Sequence, residues 1–180
     1  TRFSNKKNLK KYFQEIAYNR YKAEPYIKEF AFCESEDLIN KKILEIGVGA
    51  GTDFIEFLKR DAICYGIDAT YSAIQKTNSN ILTSLKNKKY KLEYLEKANA
   101  ESLPFKDNTF DMIYSHGVLH HAKNTMLCIS EAYRVLKPGG KFKIMVYSNF
   151  SATGLMLWLL HGLAKGKPFL SQEKVIFKYL

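Results

Sequence analysis

The 180 residues carry 28 lysines and arginines against 18 aspartates and glutamates, a formal net charge of +10, and 46% of them are hydrophobic. A chain of this size and apolar content can bury one sizeable core, which excludes a disordered polyelectrolyte and leads us to expect a single domain. Three scattered cysteines, Cys33, Cys64 and Cys128, exclude a disulfide framework or a zinc site by spacing, and the longest apolar run, Leu155 to Leu160, is far short of the ~20 residues of a membrane span.

The expected compartment is therefore the cytoplasm, with no signal-peptide pattern in the opening residues. The lysines are spread along the chain and no arginine-rich segment accompanies them, so the charge by itself argues weakly for nucleic acid as a partner.

Residues 6–21 place Leu9, Tyr12, Phe13, Ile16 and Ala17 on one helical face and Lys6, Lys7, Lys10 and Lys11 largely on the other, which predicts an amphipathic helix. It runs on into a segment where Tyr18, Arg20, Tyr21 and Tyr26 crowd around Pro25. Aromatic faces attract cations, so Tyr18, Arg20 and Tyr21 are candidate lid or substrate contacts; the alternative is that they are simply core.

Next, Ile43, Leu44 and Ile46 read as a buried parallel strand, and Phe54, Phe57 and Leu58 carry the spacing of a following helix. Between them stand Gly47, Gly49 and Gly51, which permit unusual backbone angles and let a nucleotide-like ligand lie on the main chain. The nicotinamide fingerprint fits poorly: its last glycine position holds Thr52, and Glu45 stands two residues before the first glycine. A second strand, "AICYGID", ends in Asp68, with 16 residues between it and Gly51. At that spacing the carboxylate lies beside the glycine turn and can accept from both hydroxyls of a ribose, whereas a lone strand-end aspartate is often just a helix cap.

Thr70 or Ser72 then caps a helix with apolar positions Ile74, Ile81, Leu82 and Leu85, and Leu92, Tyr94 and Leu95 mark a third strand. Phe110–Ser115 is the fourth strand, followed by "HGVLHHA". Thr125 is the expected cap of a helix whose Met126, Ile129, Tyr133 and Leu136 face the sheet, and "LKPGGKF" turns into a fifth strand over residues 141–147. Residues 150–180 read as an apolar helix, a loop and one strand candidate, with Leu155–Leu163 expected to form a substrate cover or docking surface.

Four stretches together, "LEIGVGAGTD", the acid-ended second strand, "ANAESLPF" and "LKPGGKF", resemble in order and spacing the motifs of the class I S-adenosylmethionine-dependent methyltransferases of type 11. The resemblance spans residues 42–148. It implies a Rossmann-like doubly wound α/β fold, a parallel sheet ordered 3-2-1-4-5, with residues 1–41 as a helical cap and 149–180 as a cover or an incomplete carboxyl-terminal part. The final reversed hairpin of that fold is not clearly present. The cofactor implied is S-adenosyl-L-methionine and the acceptor a small molecule. Gly47, Gly49 and Gly51 would line its methionine and ribose portions, Glu45 would reach the amino group through water, and Asp68 with Ala69 would hold the ribose. Asn99, Ala100 and Glu101 would read the adenine, Asn99 standing where the family usually has aspartate, and Ser115 would complete the pocket.

Past the fourth strand, His120 and then His116 are the candidate bases for deprotonating an acceptor, helical spacing turning them to a common side; the alternative is that they position the loop. A nicotinamide oxidoreductase, an RNA methyltransferase and a non-catalytic cofactor-binding module are the other readings. No metal is expected.

Overall fold

The computed structural model describes residues 6–33, 38–146 and Leu159. It divides into a unit of residues 1–145 and a second of residues 146–180, where only Val146 and Leu159 are described. The expected cover at 155–163 therefore lies, but for Leu159, outside the described residues.

Helices α1 (Lys6–Ala23) and α2 (Tyr26–Phe32) lead into β1 (Lys42–Ile46), α3 (Thr52–Leu58), β2 (Ile63–Asp68), α4 (Tyr71–Ser84), β3 (Lys91–Lys97), β4 (Phe110–His116), α5 (Thr125–Val135) and β5 (Leu136–Met145). The strands form one parallel sheet in the order β3-β2-β1-β4-β5, as the motif order implied. The central strands β1 and β4 are buried almost throughout, whereas edge strand β3 keeps Glu93, Glu96 and Lys97 in solvent. Alternate residues of β1 serve opposite layers: Ile43 packs with Ile27, Phe32, Phe54, Phe57 and Ile81 from α2, α3 and α4, and Leu44 and Ile46 pack with Cys128, Ala132 and Val135 of α5. Because the chain winds outward from β1 to β3 and then crosses back to β4, the turns after β1 and β4 diverge and leave a crevice at the carboxyl ends of those strands.

Two arginines fasten loops to helices. Arg134 donates to both carboxylate oxygens of Glu131, to Asp107 and to the carbonyls of Leu103 and Phe105, tying the segment after β3 to α5. Arg60 donates to the carbonyl and carboxylate of Glu56, with its guanidinium 4.5 Å from the Phe32 ring centre.

Several expectations need correction. Asn124, not Thr125, caps α5, its Oδ1 accepting from Leu127 N at 3.0 Å, while Thr125 Oγ1 donates to the Leu119 carbonyl. Met126 and Tyr133 are 71% and 78% exposed, because the small residues Cys128 and Ala132 let α5 approach the sheet on a different face. Leu82 is likewise exposed. Strand β5 starts at Leu136, its pairing with β4 interrupted by a shift between Phe110 and Met112, so Pro138–Gly140 lie inside an irregular strand and not in a turn before it. Thr70 caps α4 through its hydroxyl, as expected. All three cysteines are free, and among the described residues no helix is long and apolar enough to cross a membrane.

Candidate functional site

The glycine turn is built from three different requirements. Gly47, Gly49 and Gly51 all have positive φ, at 86°, 56° and 74°, which disfavours other residues. At Gly47 the Val118 methyls already fill the space a Cβ would need, and at Gly51 the Cα of Thr77 on α4 would lie 3.1 Å from one. Gly49 alone faces open space. Its N–H donates to Asp68 Oδ2 at 3.1 Å, while α4 holds the loop from behind, Thr77 Oγ1 donating to the Gly49 carbonyl and Asn80 Nδ2 to that of Ala50. Both roles considered for Asp68 meet in one side chain: Oδ1 accepts from the N–H and hydroxyl of Thr70, steadying the start of α4, and Oδ2 holds the glycine turn.

Two cavities flank this turn. The first, about 430 Å³, has Arg20, Glu24, Glu45, Gly49 and His116 in its wall; the second, about 340 Å³, has Asp68, Ala69, Asn99, Ala100 and Glu101. Gly47 and Val118 belong to both walls, so the cavities adjoin across the first glycine.

In the first, Glu45 is 4% exposed and its Oε2 has no hydrogen-bond partner. Burial, and next the neighbouring Asp53 carboxylate, push Glu45 well above the usual carboxylate range, against the pull of Arg20. A buried carboxylate oxygen without a donor is costly unless something brings it one. The arrangement suits a ligand with a cationic amino group at the Glu45 end and hydroxyls near Asp68 at the other, an amino acid joined to a nucleoside.

Asp53 is the functional residue that sequence reasoning missed. Only 3% exposed in the first turn of α3, it accepts from Arg20 Nη2 at 2.6 Å and Nε at 3.3 Å, from Tyr21 at 3.0 Å and from the Tyr114 hydroxyl at 2.9 Å. Burial first, then the Asp53 charge, raises the pKa of both tyrosines, so they stay neutral donors. Arg20 thereby reaches the cavity wall from α1.

The other expected residues are placed as follows. Asn99 Oδ1 accepts from Glu101 N and Glu101 Oε1 from Asn124 N, so both shape the loop in the wall of the second cavity. Ser115 is fully buried and donates to the Ile46 carbonyl, bracing β1 against β4. Tyr18 is exposed, with Lys22 over its ring.

His116 ends β4 and the positive-φ Gly117 intervenes before a short 3-10 turn at Leu119–His121, so the helical spacing expected between His116 and His120 is not realised. His116 lines the first cavity; His120 lines neither cavity and packs against the ring of His121, centroids 4.0 Å apart. Burial lowers the pKa of both, aided by Arg20 at His116 and by His121 at His120. No cluster suited to a metal occurs among the described residues.

Comparison with known proteins bears on the family and the fold. An uncharacterized methyltransferase of Bacillus subtilis, YcgJ, is 32% identical over 133 residues, covering 68% of this chain and 51% of that protein. A Bartonella tribocorum protein named ubiquinone/menaquinone biosynthesis C-methyltransferase UbiE is 28% identical over 160 residues, covering 83% of this chain and 59% of its own length. The chain thus spans between half and three fifths of these curated relatives. Among solved structures, a proposed S-adenosyl-L-methionine-dependent methyltransferase from Methanococcus maripaludis shares the fold, with a TM-score of 0.61 at 23% identity over 81% of this chain and 65% of that one. Since residues 44–144, more than half of the chain, match the family described as a methyltransferase domain, the chain belongs to the type 11 methyltransferase-domain family, whose cofactor is S-adenosyl-L-methionine.

Proposed function

We propose that this protein binds S-adenosyl-L-methionine across the two cavities and transfers its methyl group to a small-molecule acceptor. The observation that carries the reading is the partnerless Oε2 of Glu45, buried in the wall of a cavity that shares Gly47 and Val118 with the one at Asp68. In this reading Glu45 holds the ammonium of the methionine portion, Arg20 supplies positive charge for its carboxylate, Asp68 accepts from the ribose hydroxyls and the Asn99–Glu101 loop faces the adenine. Bound there, the cofactor supplies an electrophilic sulfonium methyl, and the chain's own task is orientation and exclusion of water. Helices α1 and α2 act as the cap. The relatives named ubiquinone/menaquinone biosynthesis C-methyltransferase make a carbon of a quinone precursor the first acceptor to test.

Calorimetric titration with S-adenosylhomocysteine and, separately, NAD is the direct test: the first is expected to bind and the second not, and the reverse result would sink the proposal. Asp68→Ala is expected to weaken S-adenosylhomocysteine by about 1–3 kcal/mol, the scale for hydrogen bonds to a charged group. Gly49→Ala separates binding from folding. Its Cβ meets no protein atom, so the chain is expected to lose only about 1–2 kcal/mol for the left-handed backbone while ligand affinity falls further. Unchanged affinity in that variant would move the ligand away from the turn.

A further inference from the structure

We propose that the end of the sheet opposite the cavities is a docking surface for an anionic lipid membrane, held by lysines that gather there and by the apolar side chains of Ile39 and Tyr90 exposed among them. The proposal is independent of the methyl-transfer reading, since it uses no residue of either cavity.

The lysines are dispersed along the chain but not in space. In a parallel sheet every strand starts at the same end, so each segment that enters a strand brings its residues to one side of the molecule. Lys41 precedes β1, while Lys86, Lys88 and Lys89 precede β3 and Lys91 opens it. Strands β3, β2 and β1 are neighbours, so these starts lie within about 10 Å of one another at ordinary strand spacing. The entering segments are also joined directly: Lys91 Nζ donates to Asn40 Oδ1, Asn40 N to the Asp61 carbonyl and Ile63 N to the Lys41 carbonyl.

All five lysines are exposed, and none forms a salt bridge with a carboxylate of the described residues. Asp61 is an exposed acid beside them and leaves a positive excess. Lysine on an edge strand also discourages strand addition, but Lys86, Lys88 and Lys89 stand before β3, where no ladder would form.

The composition of the patch favours lipid over RNA. Nucleic-acid sites use arginine forks and stacking platforms, whereas the arginines described at this end are already engaged, Arg60 by Glu56 and Arg134 by Glu131 and Asp107. Ile39 is 56% exposed and Tyr90 36%, and they adjoin Asn40 and Lys91, which bond to each other. An isoleucine and a tyrosine set among ammonium groups suit the headgroup boundary, where apolar side chains enter the acyl layer and lysines meet lipid phosphates. The cavities lie at the other ends of the same strands, so a docked chain keeps them open to water.

Flotation of the full chain with phosphatidylcholine vesicles, with and without phosphatidylglycerol, tests the surface. The chain is expected to float with the anionic vesicles at low salt, to stay in solution with the neutral ones, and to be released as salt rises toward about 0.5 M. Lys86→Gln/Lys88→Gln/Lys89→Gln is expected to weaken binding by roughly 100-fold, at about fivefold per lysine, and Ile39→Ser to weaken it several-fold. Lys22→Gln/Lys28→Gln/Lys97→Gln removes the same charge at the cavity end and is expected to change binding by less than about threefold. No flotation, flotation indifferent to phosphatidylglycerol, binding that survives the first triple substitution, or an equal loss in the second would each overturn the surface. A uridine-rich RNA retained more tightly than the vesicles, and released by the same lysine substitutions, would overturn it in favour of nucleic acid. Affinity for S-adenosylhomocysteine is expected to be unchanged in Lys86→Gln/Lys88→Gln/Lys89→Gln, so failure of the surface and failure of the cofactor site are read separately.

Discussion

Asp53→Ala is expected to destabilise the protein by about 3–5 kcal/mol, the range for removing one partner of a buried ion pair. The carboxylate serves four donors from three side chains, and its loss strands the Arg20 guanidinium and the hydroxyls of Tyr21 and Tyr114 without an acceptor. Relief of repulsion with Glu45 works the other way, yet it is the smaller effect, because Arg20 already compensates the Asp53 charge at 2.6 Å. Arg20→Met is expected to cost less, since that side chain is 28% exposed and Asp53 keeps both phenols. Urea unfolding measures both; a loss under about 1 kcal/mol in Asp53→Ala would mean that water replaces the network, as it does at exposed ion pairs.

Cofactor affinity is expected to rise with pH through a window set by Glu45. Burial, then Asp53, then Asp68 raise its pKa in the free protein, against Arg20, so the carboxyl stays protonated where an ordinary glutamate is ionised. An ammonium placed against Oε2 favours the carboxylate, so binding inside the window expels a proton and affinity climbs by up to about tenfold per pH unit. The window lies above the usual carboxylate range and closes at the free-protein pKa. Folding responds in the opposite direction: with the folded pKa above the unfolded one, the Glu45 contribution is complete below the unfolded pKa and is lost as pH rises through the folded value. Calorimetry with S-adenosylhomocysteine in two buffers of different ionisation enthalpy should register proton release in wild type and none in Glu45→Gln. Equal heats in both buffers for wild type would show that Glu45 is ionised in the free protein.

The parts of the site written as local spacing were legible in the chain. The glycine turn, Glu45 and Asp68 sit at the ends of adjacent parallel strands, so sequence order dictates their meeting in space. Asp53 was not legible, because an acid in the first turn of a helix is ordinary and only the meeting of α1, α3 and β4 surrounds it with donors. A local sign existed: Phe54, Ile55, Phe57 and Leu58 leave α3 apolar on nearly every side, so its one early acid had to be buried. Helix α5 misled for the opposite reason. Its large residues Met126 and Tyr133 share a stripe, but a parallel sheet accepts the smaller Cys128 and Ala132 more closely. His116 and Tyr26 lie 90 positions apart, and nothing in the spacing joins them.

Of the 28 basic residues only Arg2, Arg20, Arg60 and Arg134 are arginine, and the three that the structure describes all stand at multidentate sites. Arg20 forks onto one carboxylate, Arg60 grips Glu56 twice while lying on Phe32, and Arg134 reaches two carboxylates and two carbonyls. A lysine ammonium has neither the planar fork nor the spread of donors for these positions. In a chain that otherwise writes positive charge almost wholly as lysine, scarcity itself becomes information: each of these three arginines stands where geometry, and not merely charge, is needed. A drift from lysine to arginine elsewhere on this surface would pass unnoticed, whereas the reverse change at any of the three would unfasten α1, the end of α3 or the loop after β3.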